Sequence, residues 1–84
     1  MKALQSLPNI GLKLERQLAA AGIETPEELA RIGSKEAWLR IKTVDSSACY
    51  MRLCALEGAI RKVRWHDLDA SVKAELKNFY VQHR

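Results

Sequence analysis

Glycine and proline are scarce, with four Gly and two Pro in 84 residues, which excludes collagen-like and low-complexity disordered chains. Cysteine is scarcer: Cys49 and Cys54 are the only two. On one helix they would point about 140° apart at 100° per residue, so they can neither pair nor chelate one metal there. No disulfide, metal or cofactor is expected. Histidine occurs at His66 and His83 alone, and neither lies at a spacing that would pair it with a cysteine. No apolar run approaches the roughly 18 residues needed to cross a bilayer, and a mixed polar stretch follows Met1 where a signal peptide would be apolar. A reducing, cytoplasmic setting without membrane contact is the expectation.

What is present points to helices. Apolar residues make up 48 % of the chain, enough for one core, and residues 1–84 read as a single domain. Charge is only mildly basic, +4 from 14 Lys and Arg against 10 Asp and Glu, which is compatible with nucleic acid but decides little.

Five helices are predicted, with no strand-like alternation. The first covers residues 10–21, with Leu14 and Leu18 on one face, and Gly22 closes it. In "ETPEEL" Thr25 is an N-cap, Pro26 occupies the first helical position and Glu28 completes a capping box, so a second helix spans residues 26–32. Ser34 caps a third, "SKEAWLRIK". Asp45 or Ser46 caps a fourth, the longest and most central, running to about residue 63. Gly58 inside it implies that another backbone crosses close by. Asp69 caps the fifth, residues 70–81. The fold class is therefore all-α, a compact five-helix domain.

Catalytic chemistry is nearly absent. His66 beside Asp67 could form an oriented base, but a connector histidine next to an acid is ordinary loop chemistry. No catalytic residue and no small-molecule substrate is expected. Trp38 and Trp65 read as core or interface aromatics rather than stacking platforms for bases. Most charges follow the helix dipoles: Glu27, Glu28 and Glu36 at helix starts, and Arg31, Arg40, Lys42, Arg61 and Lys62 at helix ends. The dense "RKVR" at Arg61, Lys62 and Arg64 has the same reading beside that of a phosphate patch. Lys13, Lys35 and Lys73 break the pattern, because a first-turn cation is unfavourable unless an anion is near.

Lys13 follows "LPNIG", residues 7–11, a turn that aims backbone amides outward at a helix start. The phrase "LPNIGLKLERQLAAAGIETPEELARIG" resembles the helix-hairpin-helix motif, in which such a turn contacts nucleic-acid backbone without reading sequence. Asn9 stands where the motif has glycine, and asparagine tolerates the left-handed conformation required there. Residues 1–6 are too short for the motif's full first helix. The hairpin is also used purely for packing, and the residues leave both uses open.

Over nearly its whole length the chain is similar to the C-terminal domain of the TfoX (Sxy) family of competence-associated regulators. The resemblance rests on "LPNIG", "AAAGIETPEELARIGSKEAWLRI", "ALEGAIRKVRWHDLD" and "KAEL". It implies an all-helical domain with a hairpin unit, a regulatory or DNA-associated role and no catalytic residue. Competence-acting members carry an N-terminal domain before this one, so a stand-alone copy is expected to lack the partner-binding half. Two functions follow as expectations. The first is weak, sequence-independent contact with DNA phosphates through Asn9, Ile10, Gly11, Lys13, Arg16, Lys35, Arg61, Lys62 and Arg64. The second is a protein partner or homodimer, docked on an exposed apolar patch with Trp38, Trp65 or Tyr50. Convergence of the cations on one face would favour the first, and dispersal the second.

Overall fold

The computed structural model describes residues 4–84. The chain runs from a short 3-10 turn (Leu4–Ser6) through α1 (Leu12–Ala20), α2 (Pro26–Ile32), α3 (Ser34–Val44) and α4 (Tyr50–Arg61), then a second 3-10 turn (Trp65–Asp67) and α5 (Ala70–His83). Among the described residues the regular structure is helical throughout, as the five-helix reading predicts. Residues 1–3 of the expected N-terminal stub lie outside the described residues; the rest of it, Leu4–Ser6, is one 3-10 turn.

The second helix follows its local chemistry to the residue. The Glu28 amide donates to Thr25 Oγ1 at 3.1 Å, and Glu28 Oε1 accepts from the Glu24 amide at 2.9 Å. The first bond satisfies a first-turn donor that has no intrahelical partner, and the second ties the residue before the N-cap back to the helix. Gly33, at φ +91°, ends α2 and starts α3 in one residue.

Two predicted caps are not caps. Ser34 is already inside α3, and its hydroxyl donates 23 residues along the chain to Glu57 Oε1 on α4. The fourth helix begins later than expected, with Cys49 as N-cap and no side-chain capping bond. Asp45 is diverted from capping because its carboxylate accepts from the Ser47 amide at 3.0 Å, Gln17 Nε2 at 2.8 Å and Arg52 at 3.0 Å. These bonds, led by those from Ser47, hold its carboxyl well below the usual carboxylate range. Consequently α4 has 12 residues and α5, with 14, is the longer helix. Its N-cap, Asp69, does accept from the Ser71 amide, at 3.3 Å.

Helix α4 is nevertheless the hub: it packs on α2, α3, α5 and the Trp65–Asp67 turn. Leu53, Leu56 and Ala59 on it are fully buried, against Leu18, Ile23, Leu29, Trp38 and Ile41. Trp38 is a fully buried core residue and no part of an exposed patch, its indole N–H donating to the Cys49 carbonyl at 3.1 Å. Edge-on contacts with Phe79 (6.1 Å) and Tyr80 (5.7 Å) lock α5 onto α3, an arrangement favoured by the ring quadrupoles. Cys54 is buried and Cys49 exposed, and both thiols are free.

Candidate interaction groove beside the LPNIG turn

The Pro8–Asn9 bend enters α1 with Asn9 at φ +71°. Its side chain turns inward. Nδ2 donates to the Val63 carbonyl at 2.9 Å and more distantly to Ala55 at 3.4 Å, while Oδ1 accepts from the Trp65 amide at 3.1 Å. Asn9 thus ties the N-terminal turn to the chain leaving α4, across 54 to 56 residues of sequence. The close crossing expected at Gly58 is this one. A Cβ there would lie 2.6 Å from Asn9 Nδ2, 2.7 Å from the Val63 carbonyl oxygen and 3.3 Å from Trp65 Cα.

With Asn9 engaged inside, the outer edge of the turn is left to Gly11. Its φ of −95° is open to any residue, a Cβ on it would meet nothing within 4 Å, and it provides α1 with no side-chain cap. The first-turn amides of α1 therefore have no intrahelical acceptor. Ile10 is buried in the core, so only its backbone can serve this edge.

The predicted cations separate into four grooves. Lys13 and Arg16 line one between α1 and the end of α3; Lys35 and Arg61 line a second between α3, α4 and α5. Lys62, at φ +62°, lies with Leu7 and Pro26, and Arg64 with Asn9, Met51 and Trp65. Two are consumed internally: Lys35 pairs with Glu75 at 2.9 Å and Arg61 with Glu57 at 2.5 Å. The third first-turn lysine, Lys73, donates to the His66 carbonyl at 3.0 Å. Of the three first-turn lysines only Lys13 has no hydrogen-bonding or ionic partner among the described residues, and neighbouring Arg16 has none either.

The Lys13–Arg16 groove has a volume of about 640 Å³ and is walled by Leu12, Lys13, Arg16, Gln17 and Ala20 of α1 and by Val44 and Asp45. The α1 residues recur at helical spacing on the face opposite Leu14 and Leu18. Leu12 and Val44 are 49 % and 61 % exposed, two of the most open large apolar side chains in the protein. Gln17 spans the wall, its amide nitrogen on Asp45 and its amide oxygen buried without a partner among the described residues. The sequence offers Lys13 and Arg16 as candidates but not the apolar side chains beside them: the predicted third helix, "SKEAWLRIK", stops at Lys42, two residues short of Val44. The available signal was a leucine lying off the buried stripe of its own helix.

His66 and Asp67 are both exposed in the second 3-10 turn, with no hydrogen bond between them among the described residues. No group of three His, Cys, Asp or Glu among the described residues could hold a metal ion. None of the described helices is long and apolar enough to cross a membrane.

The family model for the TfoX C-terminal domain matches residues 1–80. The chain belongs to the TfoX C-terminal domain family. Protein Sxy of Escherichia coli K12 is 34 % identical over 73 residues, which are 87 % of this chain and 35 % of Sxy, so the chain spans about a third of that relative. Two crystal structures of Listeria monocytogenes proteins of unknown function share the fold. The triclinic form has a TM-score of 0.93 at 56 % identity, covering 94 % of this chain and 90 % of the other. The tetragonal form has a TM-score of 0.94 at 54 % identity, covering 96 % and 99 %.

Proposed function

We propose that this TfoX C-terminal domain is a non-enzymatic regulatory module that works by docking another protein in the groove between α1 and the end of α3. The carrying observation is the joint exposure of Leu12 and Val44 on either side of one groove. Exposed apolar surface of this kind gains free energy only when an apolar partner removes it from water. The predicted cations line four different grooves and two of them, Lys35 and Arg61, are neutralised by the chain's own carboxylates, so no one groove gathers them for a phosphate backbone, which supports the same choice. The regulatory role follows from membership of a family resembling competence-associated regulators. In cells, a photo-crosslinking residue installed at Val44 should capture a discrete protein species that the same residue at exposed Asn78 does not. Identical products from both positions, or nucleic acid alone at Val44, would overturn the reading.

A second reading has one specific observation behind it. Lys13, without a partner among the described residues and beside the open Gly11 edge and the first-turn amides of α1, is the remnant of the helix-hairpin-helix expectation. It calls for weak, sequence-independent binding to nucleic-acid phosphates. With Lys13 and Arg16 as its side-chain cations, the log–log salt slope on duplex DNA should be about −1.8, falling by about one unit for Lys13→Ala.

A further inference from the structure

Resting on the docking reading, we infer that the groove's occupant is an acidic amphipathic protein segment, apolar side chains on Leu12 and Val44 and carboxylates on Lys13 and Arg16. Lys13 and Arg16 lie three residues apart on α1, so their cationic heads share one rim. Neither is met by a carboxylate among the described residues. The one acid in the groove wall, Asp45, is already held by Ser47, Gln17 and the Arg52 guanidinium, which offsets its charge. The positive end of the α1 dipole, without a side-chain cap, adds to the same field. The groove is therefore net positive, with an exposed apolar side chain on each wall.

That combination selects among partners. No aromatic side chain lines the groove, so it provides no platform for stacking unpaired bases. Phosphates on Lys13 and Arg16 would leave Leu12 and Val44 in water. A second copy related by a two-fold axis would bring the same net-positive patch to itself, charge against like charge. A segment with carboxylates flanking apolar residues meets both the charge and the apolar walls, as in helix-in-groove recognition.

The experiment is a random peptide library displayed and selected on the full chain, with counter-selection on Val44→Asp. The expected result is groove-dependent enrichment of sequences combining Asp or Glu with apolar residues at helical spacing. A synthetic peptide of that consensus should bind the chain at least tenfold more tightly than the Lys13→Glu, Arg16→Glu double variant. Its counterpart with lysine in place of every acid should show the opposite preference. Groove-dependent enrichment of neutral or basic sequences would overturn the acidic assignment while leaving the docking groove standing. No enrichment that Val44→Asp removes would overturn the docking reading itself. Should Val44→Asp fail to fold, Leu12→Ser at the opposite wall serves for counter-selection, with the same outcomes.

Discussion

Asn9 does a job that its turn alone does not reveal. It accepts the left-handed backbone at φ +71° and uses both ends of its amide to hold the Val63 carbonyl and the Trp65 N–H. Replacing it separates the two contributions. Asn9→Gly keeps the backbone conformation but loses the amide, and Asn9→Ala loses both. Urea unfolding should show Asn9→Ala destabilised by about 2–3 kcal/mol, with Asn9→Gly about 1 kcal/mol less affected. Equal stability of Asn9→Ala and the parent would contradict this account. Tyr50 gives a second test on this scale. Its hydroxyl donates to the Lys73 carbonyl at 3.1 Å, and hydrogen bonding with Cys54, then burial, pushes the phenol up to about 12 from 10.0. A raised folded-state value favours the protonated phenol in the fold. Its stabilisation is complete below pH 10.0 and is lost as pH rises through about 12. Thermal melts of Tyr50→Phe should show a shallower loss of stability across that window, and parallel curves would argue against the coupling.

Between one helix and the next, what was legible in the sequence depended on how far away the partners lie. The bounds of α2 were readable because Thr25, Pro26 and Glu28 cap it within five residues. Thr25→Ala should therefore cost about 1 kcal/mol in chemical denaturation. The start of α4 was not readable. Asp45 has the chemistry of an N-cap, but Gln17 and Arg52 reach it from other parts of the fold and draw its carboxylate away. Ser34 was misread for the same reason, with Glu57 taking the hydroxyl that a cap would use. Gly58 was legible as a close crossing, though not what crosses it. In an open helix, Gly58→Ala would gain about 1 kcal/mol from propensity. Here the added methyl meets Asn9 and the Val63 carbonyl below 3.0 Å, so a net loss of stability is expected in urea titration. A stabilised Gly58→Ala protein would show that the crossing is looser than described.

Across the whole molecule, the helical core was legible because apolar periodicity is local, whereas the groove was not. One wall comes from α1 and the other from the far end of α3, and no periodicity within either helix announces that the two exposed faces meet. The basic residues show the converse. Listed along the chain they suggest one nucleic-acid surface, but folding distributes them over separate grooves and pairs Lys35 and Arg61 with Glu75 and Glu57. Lys13 and Arg16, without partners among the described residues, line one groove with the exposed Leu12 and Val44, and on that juxtaposition the functional proposal stands. The most direct measurement places a photo-crosslinking residue at Val44 in cells and identifies what it captures. A discrete protein, lost when Leu12 is changed to Asp and absent from the Asn78 control, is the predicted result. Capture of nucleic acid alone, or of the same mixture from both positions, would contradict the account.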